Sequence, residues 1–207
     1  MSNILDIISN SLPAFLTGVL GPVAVLAVRE YLQSKKSKDP LRDATESGEV
    51  ICEILDNILE ETGLDRVWIT QFHNGGHFYP TGKSIQKFSM IYEVVTTDAD
   101  SIRQNFQNIP INLFNKSINH LLDNDKIVII DYKNESISTY GLKYLAEETE
   151  CKSSYMFALK NIHGKMIGVL SVEAVKRKKE ISEESYEYLK TSATQIGIIL
   201  DEYLRKK

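Results

Sequence analysis

His73-Asn74-Gly75-Gly76-His77-Phe78-Tyr79 is the densest run of chemically capable side chains in the sequence. Two imidazoles four positions apart, beside an amide and a phenol, can hydrogen-bond a polar ligand or supply two ligands to a metal. A zinc site needs three or four ligands, and the other histidines, His120 and His163, lie in unrelated segments. Two glycines also intervene where a metal-binding pair would ride on a helix, so no metal is expected. Two readings remain open: a ligand-facing loop using His73, Asn74, His77 and Tyr79, or a plain turn made by Asn74-Gly75.

A second group comprises Tyr92, Glu93, Asp131 and Tyr155, each at or near a segment that reads as a strand. Tyrosines combine an apolar body with a hydroxyl tip, which suits polar recognition. The alternative is half-buried strand residues with solvated tips. Cys52 and Cys151 are far apart and form no CxxC, which argues against a zinc ribbon or a disulfide-built fold. No GxSxG, GxxxxGK[ST] or HExxH is present, so no catalytic residue is assigned and an enzyme is not the leading reading. An enzyme using His73 is a distant third possibility. A formal charge of -4 supplies no global basic field, and nucleic acid is not an expected partner. Lys176-Arg177-Lys178-Lys179 reads either as a solvated turn or, with Lys35, Lys36 and Lys38, as a strip facing an anionic membrane leaflet, at roughly 1 kcal/mol per charge.

These side chains must be carried by elements that the apolar pattern reveals. Tyr155–Leu159 and Met166–Val172 are apolar runs separated by a Gly-containing turn, so they predict a hairpin with both faces covered. Gly168 interrupts the second run, where a missing side chain lets a backbone or a ligand approach. Further strands are expected at Arg66–Phe72, Lys87–Val95 and Lys126–Ile130, and short helices at Leu113–Leu122 and Tyr140–Thr149. From Asp43 to Thr62, Val50, Ile51, Ile54, Leu55, Ile58 and Leu59 recur at helical spacing, and Gly63 stops the helix. Ser182-Glu-Glu-Ser185 reads as a cap opening a helix to Leu204, whose apolar stripe includes Leu189, Ala193, Ile196 and Leu200. The two terminal helices can therefore pack together.

Ahead of this domain, Leu12–Val28 carries no charge and has about the minimum length for a membrane span, which takes roughly 17 to 25 residues. Asp6 precedes it, whereas Arg29, Lys35, Lys36, Lys38 and Arg42 follow. This asymmetry predicts a single-pass anchor with the remainder of the chain on the cytoplasmic side. A buried arm in an assembly is the alternative. The division expected is an apolar helix over 1–32, a basic linker over 33–42 and one domain over 43–207.

The order of elements, with KNIHGKMIGVLSVEAV followed by ISEESYEYLKTSATQIGIILDEYL, resembles the GAF domain family over about Asp43 to Leu204. The resemblance implies an α+β fold: an antiparallel sheet with the N- and C-terminal helices on one side and a loop-roofed pocket on the other. It also implies a small-molecule ligand of unspecified class and a homodimer through the terminal helices. The family's bilin-binding members attach the pigment through a suitably placed cysteine. Cys52 lies within the first helix and Cys151 precedes a strand, so no bilin is expected, and no other cofactor is specified. The pattern of the cyclic-nucleotide-binding members is not recognisable. The combined expectation is a membrane-anchored sensory or regulatory module. The alternative is a non-enzymatic interaction protein that keeps the fold without a ligand. No output domain is recognisable in these residues, so a signal is expected to pass to a partner chain.

Overall fold

In the computed structural model, residues 39–79, 85–133 and 141–205 are described. The apolar stretch 12–28 and the basic residues Arg29, Lys35, Lys36 and Lys38 that follow it lie outside them, whereas Arg42 lies within the first helix. Among the described residues, no helix is long and apolar enough to cross a membrane.

Helix α1 (Pro40–Thr62) starts three residues before the periodicity places it, because Asp39 caps it through its side chain and Pro40 suits a first turn. It ends at Gly63, whose φ of +56° is the left-handed conformation that favours glycine. Strands β1 (Arg66–His73) and β2 (Lys87–Val95) follow. After them come a two-residue strand β3 (Ile109–Pro110), helix α2 (Asn115–Asn124), β4 (Lys126–Ile129) and helix α3 (Leu142–Glu148). The hairpin β5 (Ser153–Lys160) and β6 (Met166–Ala174) leads to the closing helix α4 (Glu183–Arg205). Ser182 Oγ accepts the Ser185 amide at 3.0 Å, so the expected cap is made, although Ser185 answers through its hydroxyl where a glutamate would reach back.

The six strands form one antiparallel sheet in the order β3-β2-β1-β6-β5-β4, with the β5–β6 hairpin inside it. Because side chains alternate, each central strand feeds two cores. Val67 and Ile69 of β1, Tyr155, Phe157 and Leu159 of β5, and Leu170 and Val172 of β6 face α1 and α4. Ile51, Leu55 and Ile58 of α1 and Leu189, Ala193, Ile196 and Leu200 of α4 complete this layer, so the two terminal helices cover the same face. On the opposite face, Trp68 and Phe72, Met90, Ile127 and Ile129, Met156, and Val169 meet Leu121 of α2 and Leu142 and Ala146 of α3.

Gly168 is where another backbone approaches: a Cβ there would lie 2.1 Å from the Thr70 carbonyl oxygen of the neighbouring strand. Lys179, from the basic run after β6, is not merely solvated. Its ammonium donates to the Thr62 and Gly63 carbonyls, closing the C-terminal end of α1.

Candidate functional site

The sheet face opposite α1 and α4 encloses an apolar cavity of about 50 Å³. Its floor is Trp68, Thr70 and Phe72 of β1, with Met90, Met156 and Val169 from adjoining strands; α2 and α3 form the roof. Helix α2 contributes Ser117, Ile118 and Leu121, and α3 contributes Leu142 and Leu145. Two hydroxyl side chains interrupt this apolar lining, Thr70 and Ser117. Ser117 is 5% exposed, and its Oγ has no hydrogen-bond partner among the described residues. An unpaired buried hydroxyl costs roughly 1–3 kcal/mol, so an unspent donor and acceptor lies at the cavity wall.

None of the eight residues singled out from the sequence lines this cavity. His73, Asn74, His77 and Tyr79 form a tight turn at the end of β1. Asn74 Oδ1 accepts the Gly76 and His77 amides, and the Tyr79 amide donates to the Phe72 carbonyl. The Asn-Gly pair thus lies within a hydrogen-bonded turn. Tyr92 lies on the helix-covered face, where its hydroxyl sits against Gly48 of α1 and burial raises its pKa. Tyr155 is on that same face. Its hydroxyl donates to the Lys179 carbonyl and accepts the Ile181 amide, tying down the loop before α4. Glu93 caps the 3-10 turn at Arg103–Asn105 by accepting the Ile102 and Arg103 amides. Asp131 pairs with Lys178 at 2.9 Å, and that ammonium holds its carboxyl below the ordinary carboxylate value. These side chains were grouped by strand position alone. The β-bulge between Ile69 and Thr70 in the β1–β2 register, together with strand alternation, distributes them over both faces.

Folding creates one pair that resembles catalytic machinery: His73 Nε2 lies 2.8 Å from Ser89 Oγ. Its surroundings assign a structural role. The Gly75 amide donates to Nδ1, so Nδ1 is the bare nitrogen and Nε2 carries the proton. Nε2 therefore donates to Ser89 Oγ and cannot take its proton, while the Asn108 amide donates to the same oxygen. Among the described residues no group of three or more His, Cys, Asp or Glu side chains could hold a metal.

A second feature left unflagged by the sequence lies beside the cavity floor. Arg66 and Glu173 are direct partners in the β1–β6 ladder, and both are almost fully buried. Glu173 Oε2 accepts from Arg66 Nε at 2.8 Å, and Oε1 accepts from Trp68 Nε1 at 2.8 Å. The remaining guanidinium donors reach the Asp100 and Thr149 carbonyls. Every charge is thus met, and the ring of Trp68, part of the cavity floor, is fixed in place. Opposite-sign residues 107 positions apart gave no sequence signal; only the ladder register brings them together.

The cysteines lie apart from the cavity. Cys52 is exposed on α1, and Cys151 is buried with its thiol donating to the Ser153 carbonyl. Burial pushes the Cys151 thiol well above its ordinary pKa, which leaves it a poor nucleophile.

The sequence model of the GAF domain matches residues 47–200. No curated protein sequence matches the chain. Among solved structures, the blue-light-absorbing form of the PixJ GAF domain from Thermosynechococcus elongatus is similar at 12% identity and a TM-score of 0.62, covering 78% of this chain and 89% of that one. The photoproduct state of GAF3 from Slr1393 of Synechocystis sp. PCC6803 is 12% identical with a TM-score of 0.60, covering 75% and 94%. A far-red-absorbing dark state with bound biliverdin is 17% identical with a TM-score of 0.58, covering 79% and 98%. At these identities the likeness is one of fold.

Proposed function

As the chain belongs to the GAF domain family, we propose that it is a sensory or regulatory module whose cavity takes a small, mainly apolar molecule with one hydrogen-bonding group. The carrying observation is Ser117: a buried hydroxyl without a partner among the described residues, in a wall whose only other hydroxyl is that of Thr70, on the sheet face that the terminal helices leave to α2 and α3. Water is a poor occupant, since a buried water needs two to four polar partners and this lining is predominantly apolar. A ligand with an apolar body and a hydroxyl or carbonyl would use the released Ser117 group and bury its own surface at about 25 cal/mol per Å².

The biliverdin held by one structural neighbour does not fit this site. A cavity of about 50 Å³ is far below the roughly 300–1,000 Å³ of ordinary ligand pockets, and neither cysteine borders it. The same small volume favours a second reading, an interaction protein that keeps the fold without a ligand. It is about a third of the roughly 150 Å³ apolar cavity that binds benzene.

Two arrangements complete the proposal. Residues 12–28 anchor the module in a membrane, with the domain on the cytoplasmic side, as the charge asymmetry of their flanks supports. The terminal helices pair two copies, which is supported by Val50 on α1 and Tyr188 and Ile198 on α4 remaining exposed. The deciding experiment is a thermal-shift screen of the full chain with small apolar alcohols, phenols, nucleotides, amino acids and oxo acids. Stabilisation by an apolar probe with one polar group, lost in Ser117→Ala, supports the sensor. A flat screen favours the interaction protein.

A further inference from the structure

Four separate segments converge on a second concavity, of about 450 Å³, which shares no lining residue with the apolar cavity. They are the exit of β4 at 131–133, helix α3, the approach to β5 at 151–152, and the turn after β6 at 176–178. Helix α3 separates the two sites: Leu142 and Leu145 line the apolar cavity, whereas Lys143, Ala146 and Glu147 line this cleft. Ala146 and Cys151 are buried at its base, and Tyr132 is held there by its hydrogen bond to Ser154.

The cleft is strongly cationic. Among the described residues, Lys133, Lys143, Lys152, Lys176, Arg177 and Lys178 line it against only Asp131 and Glu147. The whole chain has a formal charge of -4, so this concentration runs against the average surface. Two cations are occupied, Lys176 by Asp98 and Lys178 by Asp131. Lys133, Lys143, Lys152 and Arg177 form no ion pair with a carboxylate among the described residues. Like charges gathered around one concavity repel, and a bound polyanion would relieve that repulsion while the rim supplies charge-assisted hydrogen bonds. A scattered surface charge of the ordinary kind would not converge from four segments on a cleft of drug-sized volume.

From this geometry we propose that the cleft binds a ligand carrying two or more phosphate groups, with Arg177 gripping one phosphate through its guanidinium fork and the lysines neutralising the others. A single phosphate leaves most of the rim unmet. The same chemistry is offered by a free polyphosphorylated metabolite or by a phosphorylated lipid headgroup, and the two sources are separable.

The test titrates the full chain in detergent with inorganic tripolyphosphate at physiological ionic strength, where surface charges more than about 8 Å apart are screened. Sulfate at matched ionic strength is the control. Saturable binding is expected, weakened about tenfold or more per lost contact worth 1.4 kcal/mol when Lys143→Gln is combined with Arg177→Gln. Both residues are exposed, and an unchanged melting temperature verifies that the variant folds. In parallel, the chain is floated with vesicles of phosphatidylcholine alone and with added phosphatidylinositol bisphosphate; only the difference between them counts, because residues 12–28 would favour any bilayer. Tripolyphosphate binding that the double variant loses supports the site with a soluble ligand. Headgroup-dependent flotation that the variant loses, without tripolyphosphate binding, supports it with a lipid ligand. Neither response, or a response that the double variant and a Lys133→Gln, Lys152→Gln variant both retain, overturns it.

Discussion

Glu173 faces Arg66 across the β1–β6 ladder and divides its carboxylate between that guanidinium and the indole of Trp68. Removing the acid in Glu173→Ala strands a buried cation and frees the cavity floor. Breaking a buried pair from one side costs roughly 3–5 kcal/mol. Chemical denaturation should show that loss, and near-ultraviolet circular dichroism should report a loosened Trp68, the only tryptophan. A loss under about 1 kcal/mol would contradict the account.

His73 is held below its ordinary pKa of 6.5 by burial and then by the nearby Lys87 ammonium. The unfolded chain therefore takes up this proton before the folded one. Stability from this group is complete above pH 6.5, is lost as pH falls below that value, and levels off once the folded pKa is passed. Urea midpoints measured on either side of pH 6.5 should separate in the native chain and converge in His73→Gln, which keeps a donor toward Ser89. Equal separation in both proteins would assign the pH dependence elsewhere.

Gly168→Ala should be severely destabilising, because the added Cβ would meet the Thr70 carbonyl oxygen at 2.1 Å, on the backbone of a central strand that cannot give way. Overpacking of this kind costs about 1–3 kcal/mol, and more where backbone is hit. The matching control is Gly76→Ala, where the nearest atom is 3.9 Å away on the exposed Asn74 turn. Melting temperatures of the two variants should differ widely.

Ser117→Ala tests the cavity without a ligand. Its hydroxyl has no partner to lose among the described residues, so the substitution should be neutral or stabilising by about 1 kcal/mol, opposite to the usual sign for a buried polar residue. A clear loss of stability would mean that Ser117 already has a partner, and the proposed ligand contact would fall with it.

The elements were legible because their signals are local. Ile51, Ile54, Leu55 and Ile58 repeat at helical spacing, Gly63 supplies a stop, and Met166–Val172 is an apolar run that only a strand covered on both faces explains. The site was not legible, because it depends on which face each strand residue takes. Tyr92 and Glu93 are neighbours in sequence, yet one packs under α1 and the other caps a turn on the opposite side. Ser117 carries no motif, and its significance comes only from what surrounds it. Likewise Lys133, Lys143, Lys152 and Arg177 are ordinary surface cations until four segments meet. The amino-acid order therefore determined the family, the helices and five of the six strands, all but the two-residue β3, since those rest on spacing within about twenty residues. The strand register and the packing of α2 and α3 decided the cavity, the buried Arg66–Glu173 pair and the cationic cleft, because proximity between distant residues exists only once the sheet has formed.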